Sequence, residues 1–219
     1  MGIQAALLAR NTTNKGQHVD ISMLDCQISM LNYMATMHLV SGLVPEPIGN
    51  AHFVHVPYNT FSTKDFPIVI AAAGDQFWQG ILDVFDIKEL RTSKYKFAPA
   101  RQADKGLIES LLQKKLTTDT SENWIKKLEE KKIPCSRVNN FEQALQDEQI
   151  RYRNMVVKLK HPNGTEAEVP GNPIKLSDTH EDSFSSPPML GAHTDEVLYE
   201  WLKLNPDEIK RLRKKLIIA

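Results

Sequence analysis

Apolar residues open the chain at helical spacing: Ile3, Ala6 and Leu7 share a face with Arg10, and Ala5 and Leu8 lie beside it. No Ser, Thr, Asp or Asn precedes them as an N-cap, so the helix reads as one that has been cut into. A polar turn over residues 11–16 leads to Gln17-His18-Val19-Asp20-Ile21, whose alternation predicts a half-buried strand. Helix, turn and strand in that order predict an α/β fold. Ser22, with Asp25 three residues on, has the outline of a capping box. It opens an apolar helix over about residues 23–40, with Leu24, Ile28, Leu31 and Met34 on the face, which is expected to be mostly buried.

Gly42, Pro45, Pro47, Gly49 and Asn50 then make the strongest loop signal of the first half, and a domain boundary is placed there. Short strands follow over 58–62 and 67–71, the second an apolar run expected to be buried on both faces. Residues 75–85 return to helical period with Asp75 as the cap. Helices are predicted over 103–115 and from a Thr120 or Ser121 cap through Trp124, Ile125 and Leu128 to Lys132, with Pro134 closing the second. Asn140 caps a short helix through Ala144 and Leu145. Strands over 155–160 and 165–169 flank His161-Pro162-Asn163-Gly164, where Asn-Gly predicts a hairpin. Residues 170–188, rich in Pro, Gly, Ser and Asp, read as an extended linker. Two helices end the chain, one opening at His193-Thr194 and one at Asn205-Pro206, where Asn caps and Pro fills the first helical position.

Composition narrows the function classes. The 219 residues suffice for one large domain or two small ones, and Lys plus Arg equals Asp plus Glu at 27 each. That balance argues against nucleic acid as a partner. The cations of 210–215 are read as a solvated helix end. No apolar run approaches the roughly 20 residues of a membrane span, and the start lacks the layout of a secretory signal. The chain therefore reads as soluble and cytoplasmic, without a membrane partner. Cys26 and Cys135 lie far apart without metal-ligand spacing, which predicts neither a disulfide framework nor a metal site.

Searched without reference to any family, the sequence holds no complete catalytic constellation. Ser93-Lys94-Tyr95-Lys96 has the spacing of a Ser/Lys acylase motif but lacks its companion motifs. Cys135 as a thiol nucleophile lacks an electropositive setting and reads as structural. Gly74-Asp75 ahead of a helix could offer N–H groups to an anion, or simply start the helix. His52 and His55 follow the proposed boundary, on a loop where a ligand could bind. Three residues apart in an extended segment, they are expected to face opposite ways. Gly49, Asn50, His52 and His55 are the candidate substrate contacts.

Three stretches together resemble a known family. Residues 15–25, Lys-Gly-Gln-His-Val-Asp-Ile-Ser-Met-Leu-Asp, resemble the GKGQ-x-VDVS-x-x-D stretch of the family III CoA-transferases. Ile133-Pro134-Cys135, then Asp147-Glu148-Gln149 and Arg153-Asn154-Met155, are similar to that family's IPC, dpq and R-x-M succession. Gly171-Asn172-Pro173-Ile174-Lys175-Leu176-Ser177 and the stretch from Pro187 to Thr194 resemble its G-x-PIK-x-S and PP-x-LG-x-HT ending.

The resemblance implies part of a Rossmann-like large domain over 1–48, a small α+β domain over 49–169, and a linker with helices returning to the large domain over 170–219. It implies interlocked dimers, and CoA moving from an acyl-CoA to a small carboxylic acid through an aspartyl thioester. The CoA thioester is then a substrate, and no cofactor is permanently bound. The nucleophilic aspartate is expected about two or three helical turns before Met1, so none of this chain's residues is predicted to be catalytic. Asp20 and Asp25 are not read as replacements. Either a second copy or a complementing N-terminal half is the expected partner, and the chain alone is expected to form oligomers or aggregates. The multi-glycine loop of the formyl-CoA branch is reduced here to Gly49, which argues against oxalate or formate as the acid. Residues 58–65 look more like transferases acting on dicarboxylates or other acids than like α-methylacyl-CoA racemases, the alternative reading; a non-catalytic fragment is the other.

Overall fold

In the computed structural model, which describes residues 1–179 and 183–218, the first fifty residues form helices but no core. Helix α1 (Gly2–Thr13) has no side-chain cap at its start and ends where Asn14 enters the left-handed region at φ 53°. Residues 17–21 carry the alternation of a strand yet form none, because no segment among the described residues pairs with them. The helix expected over 23–40 is two helices, α2 (Met23–Met30) and α3 (Asn32–Ser41), broken at Asn32, whose φ of 49° no continuous α-helix contains. Ser22 does cap α2, its Oγ accepting from the Asp25 N–H at 3.3 Å.

None of these helices has a buried residue, and Met23, Leu24, Met30 and Leu39 are between 70% and 85% exposed. The expectation of burial is therefore overturned. Helical periodicity reports that a face exists; burial also needs a second apolar surface against it.

The core begins at Val56. Strands β1 (Tyr58–Phe61) and β2 (Ile68–Ala71) pair antiparallel, with Tyr58 opposite Ala71. Ile68 and Ile70 are fully buried while Val69 and Ala71 are half-buried, so β2 buries one face rather than two. A single 3₁₀ turn over Asp75–Phe77 precedes α4 (Trp78–Phe85), whose buried residues Trp78, Ile81, Leu82 and Phe85 follow the i, i+3, i+4, i+7 rule. Next come α5 (Ala98–Ala103) and α6 (Lys105–Leu116), so the helix expected over 103–115 starts two residues later. Helix α7 (Ser121–Glu130) is capped by the Thr120 hydroxyl. Strand β3 (Cys135–Arg137), three residues long and not predicted, pairs with β2 and places Cys135 opposite Ile70.

Ile108, Leu112 and Leu116 of α6 and Trp124 and Leu128 of α7 complete the core with α4 and the sheet. Full burial of each such side chain contributes about 1.5–3 kcal/mol. Phe85 stacks on Trp124 at 5.2 Å, and the Trp124 indole N–H donates to the Leu116 carbonyl at 2.9 Å. Arg101 is buried with them. Its guanidinium donates to the carbonyls of Val56 (3.2 Å), Tyr95 (2.9 Å) and Lys96 (3.1 Å), pairs with Asp75, and lies over the Trp78 ring. Asp75 is thus no helix cap, because the guanidinium claims its carboxylate.

A second compact unit starts at Val138. Helix α8 (Phe141–Gln146) opens with a reciprocal capping box between Asn140 and Gln143, and α9 (Glu148–Tyr152) is capped by Asp147. Strands β4 (Val156–Lys160) and β5 (Glu166–Pro170) form the expected hairpin, with Gly164 at φ 89° in its loop. At Gly171 a Cβ would overlap the Asn154 carbonyl oxygen, so only glycine fits there. The described residues between 171 and 193 hold no helix or strand; positions 180–182 of the linker reading, and 219, lie outside the described residues. Helices α10 (Thr194–Glu200) and α11 (Pro206–Lys214) follow, the latter with a capping box between Asn205 and Glu208. The chain is a mixed α/β protein, and among the described residues no helix is long and apolar enough to cross a membrane.

Candidate functional site

Between the exposed helices and β1, the chain turns tightly on itself. Gly49, at φ 63°, and Asn50 form an exposed turn in which the Ala51 N–H reaches the Ile48 carbonyl at 3.3 Å. Glycine takes that sign of φ without steric cost. His52 then organises the residues after it. Its Nδ1 accepts from the N–H groups of Val54 at 3.0 Å and His55 at 3.2 Å. Its own N–H donates to the Tyr58 carbonyl at 3.0 Å, and Lys105 of α6 donates to its carbonyl at 3.4 Å. Backbone amides can only donate, so Nδ1 presents a lone pair and the neutral ring keeps its proton on Nε2.

The His52 ring lies 4.7 Å from Phe53, 4.6 Å from His55 and 5.1 Å from Tyr58, between ring centroids. Tyr33 of α3 stacks on Phe53 in turn. The expected splaying of His52 and His55 is overturned, because alternation belongs to extended backbone and the turn closed on Nδ1 brings both rings together. Burial lowers the His52 pKa, and the charges of His55 and Lys105 push the same way.

Helix α6 holds this region through residues one turn apart. Beyond Lys105, Glu109 accepts from the Asn59 amide at 3.1 Å, and Gln113 brackets Ser62, accepting from its N–H at 3.0 Å and donating to its carbonyl at 2.7 Å. Lys105 was not singled out from the sequence. It stands 53 positions from His52 in a chain that is 25% charged, and nothing local marks it.

The other candidates resolve as structural. Burial, helped by Glu129, pushes the Cys135 thiol up to about 11, which removes the thiolate a nucleophile needs. Lys94 pairs with Asp104, which also accepts from the Tyr95 hydroxyl at 2.7 Å, so the lysine of the acylase-like spacing is held charged. Gly74 precedes a 3₁₀ turn of only three residues, and the Asp75 carboxylate beside it is turned to Arg101. Asp20 is exposed, and Asp25 lies in the first turn of α2. Among the described residues no three His, Cys, Asp or Glu side chains gather as a metal site.

Comparison with known proteins gives this geometry its setting. The family model described as CoA-transferase family III matches residues 1–194. The chain is similar to the succinyl-CoA:glutarate CoA-transferase of Homo sapiens, 28% identical over 211 residues, 96% of this chain and 48% of the relative. It is also similar to the acetyl-CoA:oxalate CoA-transferase of Acetobacter aceti, 30% identical over 184 residues, 82% of this chain and 46% of the relative. Among solved structures, a CAIB/BAIF family protein from Brucella suis superposes with a TM-score of 0.72 at 29% identity, covering 90% of this chain and 51% of that one. The chain spans about half the length of the curated relatives it matches.

Proposed function

Since the chain belongs to CoA-transferase family III, we propose that it takes part in moving CoA from an acyl-CoA to an acceptor carboxylic acid, with residues 49–55 facing the substrates. The observation that carries this reading is the family match over residues 1–194. The relatives named above pair an acyl-CoA with a dicarboxylic acid, which supports a small dicarboxylate as acceptor. The folded turn adds to it: Gly49 and Asn50 are exposed, and His52 and His55 stand ring against ring behind them.

The chemistry proposed is covalent catalysis by a carboxylate. An aspartate attacks the donor thioester carbonyl, giving a mixed anhydride and expelling CoA thiolate. The thiolate attacks the aspartyl carbonyl of that anhydride, so an aspartyl-CoA thioester forms and the donor acid leaves. The acceptor carboxylate then runs the two steps in reverse, regenerating the aspartate. In this reading the aspartate lies outside residues 1–219 and no residue here is catalytic. The CoA thioester is a substrate, the working protein is an interlocked homodimer or a pair with a complementing N-terminal half, and it is cytoplasmic.

The test uses the longest in-frame product of the gene, and residues 1–219 alone, each incubated with succinyl-CoA and a panel of dicarboxylic acids. New acyl-CoA species that require the acid, seen by mass spectrometry with the longer product, are the expected result. Transfer by residues 1–219 alone would overturn the placement of the nucleophile. Exchange of the α-proton of a 2-methylacyl-CoA without any acid would overturn transfer in favour of racemase chemistry.

A further inference from the structure

We propose that His52 is a positioning residue that works only as a neutral ring: its unprotonated Nδ1 is the clasp that closes residues 52–55, and acid opens the loop. Nδ1 has one lone pair, and the Val54 and His55 amides share it at 3.0 and 3.2 Å. A proton on that nitrogen turns an acceptor into a donor and sets it against two N–H groups, so both contacts are lost together. The ring has no simple escape. Its backbone is fixed at both ends, N–H on Tyr58 and carbonyl under Lys105, so turning the ring away leaves the two amides without an acceptor.

Burial, His55 and Lys105 oppose a proton on the ring. His55 lies at 4.6 Å and Tyr58 at 5.1 Å between ring centroids, and Lys105 reaches in from α6. Phe53, on the remaining face, is apolar. Glu109, the carboxylate one turn further along α6, is engaged by Asn59. The closed loop therefore binds fewer protons than the open one. It is fully favoured above about 6.5, the ordinary histidine value, and loses that advantage as pH falls toward the lowered value of the closed form. Only the effect on turnover rests on the proposed reading of 49–55 as substrate-facing; the clasp itself does not.

The experiment is an NMR pH titration of the full chain with ¹⁵N in the histidine rings and the backbone amides, for wild type, His52→Asn and His52→Ala. Asparagine offers Oδ1 close to where Nδ1 stands and takes up no proton in this range. Expected for wild type are a His52 proton on Nε2, a midpoint below that of free histidine, and Val54 and His55 amides that move with that midpoint. In His52→Asn both amides keep their closed positions to pH 5; in His52→Ala they hold the open positions throughout. A proton on Nδ1 at neutral pH, or amides that ignore the His52 midpoint, overturns the proposal. So does a folded His52→Asn that titrates like wild type. Should the variants fail to fold, the wild-type tautomer and amide midpoints decide alone. A parallel transfer assay on the longest in-frame product separates the two readings. An acid limb that His52→Asn removes supports both. Opening seen by NMR with no acid limb leaves the clasp standing and overturns the substrate-facing loop.

Discussion

Leu24 and Ile28 stand four residues apart on α2, and Ile108 and Leu112 stand four apart on α6. The first pair is 70% and 58% exposed, whereas the second is fully buried. Both spacings make an apolar helical face, and α6 alone has the sheet, α4 and α7 around it. The difference teaches that residues 1–50 and 56–137 draw stability from different sources. The second stretch holds itself together through its own core. The first has local hydrogen bonds and caps, and its apolar area is left uncovered among the described residues.

The largest expected effect comes from emptying the core. Leu112→Ala should cost about 2–5 kcal/mol, and Leu24→Ala should change stability by less than about 0.5 kcal/mol. Urea unfolding followed through Trp78 and Trp124 compares them, and equal losses would break the contrast. Arg101→Ala comes next, at about 2–4 kcal/mol, because the carbonyls of Val56, Tyr95 and Lys96 lose their donors together. The same unfolding curve reads it.

Acid should act on the core stretch through its caps. Asp65 is held well below the usual carboxylate range, first by the Ser121 N–H. Asp119 is pulled down to about 2 by Asn123, then Lys127 and the Thr120 N–H. Folded values below unfolded ones mean stability that is present above about 4 and lost as pH falls through the folded values. Asp119→Asn should flatten that acid limb in a series of urea midpoints from pH 6 to pH 2. The smallest effect on stability belongs to Leu24→Glu with Leu31→Glu. The core transition should stay in place, and the weight-average mass in sedimentation should fall toward that of a single chain. An unchanged mass would show that this face does not drive association.

What the sequence made legible follows the range of each interaction. Helix α7 with its Thr120 cap, the β4–β5 hairpin and the Asn205 cap with Pro206 behind it depend on neighbours within a few positions, and each forms as expected. The failures depend on distant partners or on short elements. Residues 17–21 alternate correctly and have nothing to pair with, while β3 is only three residues long and owes its existence to β2, 65 or more positions earlier. In the candidate site, His52 and His55 were visible as residues but not as a pair. Their closeness comes from a turn closed by an imidazole, a group outside the usual set of turn formers, and Lys105 enters only through the packing of α6.

The fastening of β1 has one more consequence. A strand at the margin of a sheet ordinarily leaves unpaired peptide groups that another extended segment can copy. Here the Tyr58 carbonyl is taken by the His52 N–H, the Thr60 N–H by the Asn59 side chain at 2.8 Å, and both peptide groups of Ser62 by the Gln113 amide. A foreign strand arriving at this margin finds these four peptide groups already engaged, and would have to strip away Gln113 and unwind the His52 turn to pair along its whole length.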